Sequence, residues 1–131
     1  MNYIKAIISE IRSVDAINIV SFKAGDVSLK MVSLELNKAL KVGAEVTLGA
    51  KSTNIALAKN LDGELSISNQ LECTIISLEH GELLTRVKLA FQESELESVI
   101  TKDSALRMKL HEGEELLALI KSSELSIVGL G

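Results

Sequence analysis

Gly43-Ala44-Glu45-Val46-Thr47-Leu48-Gly49-Ala50-Lys51-Ser52-Thr53-Asn54 returns as Gly113-Glu114-Glu115-Leu116-Leu117-Ala118-Leu119-Ile120-Lys121-Ser122-Ser123-Glu124, ungapped and 70 positions later. Upstream, Ala6-Ile7-Ile8-Ser9 pairs with Thr74-Ile75-Ile76-Ser77, 68 positions on. Self-similarity at this period divides the 131 residues into two small units, 1–60 and 61–131. In each copy an apolar strand pattern runs straight into a Lys-Ser-(Ser/Thr) element. That element supplies ammonium, hydroxyl and backbone N–H donors at one strand end. An oxyanion, all acceptor and negative, is its chemical complement.

Working outward from the repeat, the strand signals are dense and proline is absent. In the first unit the patterns predict strands at Tyr3 to Ile11, Ile17 to Phe22 and Val27 to Val32. Lys23-Ala24-Gly25-Asp26 forms the hairpin between the second and third. Leu34 to Leu40 reads as a short helix behind a Ser33 N-cap. A turn at Val42-Gly43 then leads into Glu45–Lys51, and Asn54–Ala58 closes the unit. The second unit repeats this order with strands near Asn69–Leu78, Leu83–Phe91, Leu96–Thr101, Glu115–Lys121 and Leu125–Val128, and a helical turn at Asp103–Met108. Five short strands with one helical turn between the third and fourth is the order of an OB-like barrel. The expected fold is all-β with short helical turns: two tandem five-stranded OB-like barrels, joined by the polar stretch Asn60 to Glu64.

Composition narrows the functional classes. Hydrophobic residues make up 47% of the chain but aromatics only 2%, which suits several small aliphatic cores and aliphatic subunit interfaces, and hence an oligomer. No apolar run is long enough to span a membrane, and no basic-then-apolar leader opens the sequence, so a cytoplasmic location is expected. Residues 1–60 hold eight Lys/Arg against five Asp/Glu, and residues 61–131 hold six against thirteen, so a net charge of −4 divides into +3 and −7. Without a basic patch interleaved with stacking aromatics, nucleic acid is not an expected partner. One cysteine, Cys73 in an apolar pattern, and two histidines, His80 and His111, make no metal-cation site. Neither a nucleophile with its base nor a Gly-rich phosphate loop is visible, so no enzyme is expected. Glu93, Glu95 and Glu97 alternate along a strand and read as a solvent or interface face.

Three further segments carry donors. Ser66-Ile67-Ser68-Asn69-Gln70 opens the second unit and either adds donors to an anion site or caps the linker. Thr101 and Ser104 flank the start of the second helical turn, where free N–H groups favour anions and where N-capping alone also suits them. Ser33 stands at the comparable place in the first unit, two residues closer to its glycine.

Taken in order, Asn69-Gln70-Leu71, Val99 to Ser104, Leu110 to Glu115 and Ile120-Lys121-Ser122-Ser123 resemble the molybdenum-pterin-binding (Mop, or TOBE) module. That module usually opens on Ser-Ala-Arg-Asn-Gln and closes on Ile-Lys-Ala-Ser. The first unit is similar through Leu40 to Val46 and Lys51 to Asn54, and Asp15-Ala16-Ile17-Asn18 resembles the module's Gly-Ala-Val-Asn stretch. Spanning the chain as a pair, the resemblance is to the tandem, molbindin-like di-Mop arrangement. It implies OB-like barrels that bind molybdate or tungstate intact between modules, with no covalent cofactor and no cation ligands. It also implies a homo-oligomer, a trimer of tandem modules imitating six single ones. Carried over residue by residue, it assigns Ser66, Ser68, Thr101, Ser104, Lys121 and Ser122 to the oxyanion in the second unit, and Ser33, Lys51 and Ser52 in the first. The implied role is storage or homeostasis of the oxyanion. The alternative is an accessory module that senses the anion and contacts a regulator or a molybdate ABC transporter subunit.

The chain departs from the family in two places. The arginine of Ser-Ala-Arg-Asn-Gln is Ser68 here, and the first unit, starting Met1-Asn2-Tyr3, has no such opening. One lost charge-assisted hydrogen bond costs roughly 1.5–3 kcal/mol. The consequence is weaker sites, a cation supplied by another subunit, or a silent site.

Overall fold

The computed structural model describes all residues, 1–131. Its ten strands are β1 (Asn2–Val14), β2 (Ile17–Ala24), β3 (Val27–Ser33), β4 (Glu45–Ala50), β5 (Ala56–Ala58), β6 (Asn69–His80), β7 (Leu84–Phe91), β8 (Ser94–Thr101), β9 (Glu115–Ile120) and β10 (Ser126–Leu130). One helix, α1 (Lys102–Arg107), follows β8, and 3-10 turns at Ser52–Asn54 and Ser122–Glu124 follow β4 and β9. Alternating burial along β1, β6 and β7 is the period-2 signature of strands with one face in a core. The expected all-β architecture of two five-stranded OB-like units is present.

The sheets do not follow the sequence halves, however. One sheet runs β10-β4-β1-β2-β3 and the other β5-β9-β6-β7-β8. Each half therefore keeps four strands and lends its fifth to the other. Ala56, Leu57 and Ala58 pair with Leu119, Ala118 and Leu117 of β9, while β10 lies against β4 from Ser126↔Gly49 to Leu130↔Val46. Val128 crosses so closely over Gly49 that a Cβ there would meet its Cγ1 at 2.7 Å. Only glycine admits that approach.

Three sequence expectations change. The first is the register of the repeat. In β1 and β6 it is 67, not 68: Ile8 N donates to Ala44 O and Gly43 N to Ile8 O, just as Ile75 N donates to Glu114 O and Gly113 N to Ile75 O. Bulges at Ile8/Glu10 and Ile75/Ser77 mark the same point. Matching Ile-Ile-Ser by identity slips one residue, which would turn every side chain to the wrong face; Ile8 and Ile75 are both buried, whereas Ile76 is exposed. The second concerns Leu34–Leu40, which is not helical. Ser33 Oγ accepts from Glu35 N at 3.2 Å and Asn37 Oδ1 from Ala39 N at 2.9 Å. These local i to i+2 bonds compete with a helical ladder. The loop is also three residues shorter than its counterpart, since Ser33 aligns with Ile100. In the second unit α1 does form, with Thr101 Oγ1 accepting from Ser104 N.

Third, the several small cores are one. A continuous cluster of 25 buried residues runs through both units, including Ile55 and Leu125 at the roots of the exchanged strands. Cys73 lies in it, and burial pushes its thiol up to about 11, so it is an inert packing residue. Gly43 and Gly113, at φ +94 and +84, make the turns into β4 and β9 in a conformation that favours glycine.

Side-chain amides tie the units together, Asn2 and Asn69 as a buried, matching pair and Gln92 at the surface. Asn2 Oδ1 accepts from Glu97 N and its Nδ2 donates to Glu97 O at 2.9 Å. Asn69 Oδ1 accepts from Lys30 N at 2.7 Å and its Nδ2 donates to Lys30 O at 2.8 Å. Gln92 Nε2 donates to Ala24 O at 2.9 Å, filling the space over Gly25. Replacing fully buried Asn69 by alanine strands both Lys30 groups, and is expected to cost about 2–3 kcal/mol. The measurement is a lower urea midpoint at unchanged m-value.

Candidate functional site

Strand exchange decides where the two lysine-hydroxyl loops sit. Each loop lies between a strand that stays in its own sheet and one that crosses to the other, so the two loops meet where the crossings pass. They are built alike. Asn54 N donates to Lys51 O, and Glu124 N donates to Lys121 O, both at 2.9 Å. The lysine before each 3-10 turn is extended, with φ/ψ of −71/143 for Lys51 and −61/144 for Lys121. Asn54 and Glu124 occupy the same place in the two loops and join across the gap, Asn54 Nδ2 donating to Glu124 Oε2 at 2.9 Å.

A cleft of about 570 Å³ opens on one side, lined by Thr53, Asn54, Ile67, Thr101, Ser104, Lys121 and Glu124 among others. It therefore gathers Thr101, Ser104 and Lys121 from the second half with Thr53 and Asn54 from the first. A smaller cleft of about 190 Å³ opens on the other side, lined by Lys51, Asn54, Ser123, Glu124 and Ser126 with Met1, Gly49 and Ala50. Under the repeat the loop parts of the two clefts correspond: Lys121, Thr53 and Ala56 match Lys51, Ser123 and Ser126, and Asn54 and Glu124 exchange roles, while the smaller cleft has no counterpart of Thr101 and Ser104. Lys51 and Lys121 are exposed, and neither has a carboxylate within 4.0 Å. Each is an unneutralised ammonium beside hydroxyls.

The remaining predicted residues are not among those lining the two clefts. Ser66 and Ser68 are exposed on either side of Ile67, which itself lines the larger cleft. Ser52 is half-buried and accepts from Asn2 Nδ2 at 3.3 Å. Ser122 is half-buried and lines neither cleft. Ser33 lies in a third, mainly apolar groove of about 640 Å³, which shares Ser123 and Ser126 with the smaller cleft but is not lined by Lys51. Thr101 and Ser104 are both cap and lining: Thr101 Oγ1 donates to Ser104 Oγ at 3.0 Å while holding the start of α1. Here the capping and donor readings describe the same side chains.

Thr53 enters the sequence reading as a hydroxyl of the Lys-Ser-(Ser/Thr) element, whereas Asn54, Glu124 and Arg107 do not enter it as donors. Thr53, Asn54 and Glu124 lie inside the quoted repeat, but only the strand exchange shows that each loop completes the other's cleft. Arg107, one turn along α1, brings Nη1 to 3.5 Å from Ser104 Oγ and places a guanidinium at the edge of the larger cleft. Elsewhere, half-buried Lys59 pairs with Glu114 at 2.8 Å and holds its carboxyl below the usual range. His80 Nδ1 lies 2.8 Å from Thr85 Oγ1, and His111 is exposed in its turn. No group of three or more His, Cys, Asp or Glu converges as for a metal ion, and no helix is long and apolar enough to cross a membrane. Each cleft offers an ammonium and hydroxyl or amide donors to an acceptor-rich anion, with the Glu124 carboxylate at their junction.

Comparison with known proteins points the same way. Residues 65–127 match the TOBE domain family. The chain is 32% identical over 99 residues to the molybdenum-pterin-binding protein MopB of Rhodobacter capsulatus, covering 71% of this chain and 37% of that protein. It is 28% identical over 103 residues to the molybdenum import ATP-binding protein ModC of Brucella abortus (strain 2308), covering 77% and 29%. The chain thus spans about a third of the length of these curated relatives. Among solved structures, the cytoplasmic molybdate-binding protein ModG, in a form with molybdate bound, superposes with a TM-score of 0.91 at 27% identity, covering 99% of this chain and 96% of that one.

Proposed function

The chain belongs to the Mop/TOBE family, and from that premise we propose that it binds molybdate or tungstate reversibly and non-catalytically, as a cytoplasmic store of the oxyanion. The observation that carries this reading is the larger cleft, where Lys121, Thr101 and Ser104 come together with Thr53 and Asn54 of the other half. A tetrahedral dianion has only acceptors to offer, and the ammonium, hydroxyls and amide can all turn donors toward it. On this reading the anion stays whole: the cleft has a single carboxylate, Glu124, and no converging set of metal ligands. Likeness over the full chain to a protein with molybdate bound supports the same reading.

Oligomerisation is part of the proposal. Leu83, Val14, Leu34 and Leu130 are each more than 60% exposed, apolar side chains that contact between chains of a trimer would take out of water. Similarity to ModC favours a second reading, contact with a molybdate transporter subunit, in which the same clefts report anion supply. Native mass spectrometry with added molybdate tests both parts: a trimer carrying bound anions is expected. A chain that takes up no molybdate at millimolar concentration rules out storage.

A further inference from the structure

Loop for loop, Lys51-Ser52-Thr53-Asn54 and Lys121-Ser122-Ser123-Glu124 differ in charge at one position only, the fourth. That position lies where the two crossings meet. Glu124 lines both the larger and the smaller cleft, held there by Asn54 Nδ2 at 2.9 Å. Its carboxylate has no lysine or arginine within 4.0 Å, so its charge is not cancelled by a protein cation. A site built from donors thus contains one acceptor bearing a full negative charge.

We infer that Glu124 weakens binding of a dianion in both clefts at once, a single carboxylate setting two affinities. This rests on the oxyanion-binding reading and deepens it. The sign follows from charge: a fixed carboxylate repels a dianion, and its oxygens cannot donate to it. Even at the dielectric of water, a unit charge about 6 Å from a dianion opposes it by an amount worth about tenfold in affinity. Strand exchange makes the effect shared, because the loop carrying Glu124 belongs to one cleft through Lys121 and faces the other beside Lys51. Had each half kept its own closing strand, the glutamate would stand in one site and the asparagine in the other.

The test is molybdate titration by calorimetry of the full chain and of E124Q and N54D. Glutamine keeps an oxygen to accept from Asn54 Nδ2, and Glu124 is exposed, so the thermal midpoint should not move. E124Q is expected to bind molybdate about tenfold more tightly at low salt, with the gain shrinking in 0.5 M sodium chloride as the charge is screened. N54D, which adds a second carboxylate at the same junction, is expected to bind more weakly. If the unaltered chain binds molybdate and E124Q binds no better, Glu124 has no such role while the oxyanion reading stands. If neither takes up molybdate at millimolar concentration, both fall together.

Discussion

A single cut within the exposed segment 61–65 is expected to leave the two halves of this protein associated. A conventional tandem of independent barrels would come apart. Here β5 lies hydrogen-bonded to β9 and β10 to β4, so each fragment keeps a strand inside its partner's sheet. Ile55 and Leu125, at the roots of those strands, are 1% and 3% exposed. Withdrawing each from the shared core forfeits about 1.5–3 kcal/mol before any hydrogen bond is counted. The ties of Asn2 to Glu97, Asn69 to Lys30 and Gln92 to Ala24 would break as well. A protease site inserted in the segment, cleavage to completion and size-exclusion chromatography give the answer: the fragments should co-elute without denaturant. Elution as two separate species would disprove the exchange.

Lys121→Ala is expected to weaken molybdate binding by roughly ten- to a hundredfold, the cost of one charge-assisted hydrogen bond. Lys121 is exposed and makes no ion pair, so the loss should appear in the calorimetric affinity and not in thermal stability. Lys51→Ala should reduce the stoichiometry or affinity of the smaller cleft alone. Thr101→Ala is a poorer probe, since Thr101 Oγ1 also caps α1 through Ser104 N at 3.2 Å, and its removal confounds binding with helix stability. Unchanged affinity in Lys121→Ala would move the anion out of the larger cleft.

The OB-like order of elements was readable because it rests on local signals: period-2 burial in β1 and β6, the Gly25 hairpin, and the glycine turns before β4 and β9. Where local chemistry is balanced, reading failed. Leu34 to Leu40 has a helical pattern, but Ser33 and Asn37 bond their own backbone, and the loop is three residues shorter than the one that holds α1. Two adjacent isoleucines in each copy hid the register, which only the bulge and glycine-turn hydrogen bonds fix. Lys51 and Lys121 stood out in the sequence because strand ends announce themselves. The partners that complete their clefts did not, because nothing local in Ala56–Ala58 or Ser126–Leu130 says which of two similar sheets will accept them. That choice depends on tertiary packing, and with it go the roles of Thr53, Asn54 and Glu124.

The exchanged strands also set the order in which this protein can come into being. Ser126 and Gly49, neighbours in one sheet, are 77 residues apart in the chain. The first sheet therefore lacks an edge until nearly all of the second half is at hand, and the second awaits the three residues of β5 on the far side of the linker. Such distant pairings gather slowly, because the entropy of closing long loops is spent before contacts repay it. Neither half can serve as a finished template for the other. The duplication that looks in sequence like two folding units behaves in assembly as one.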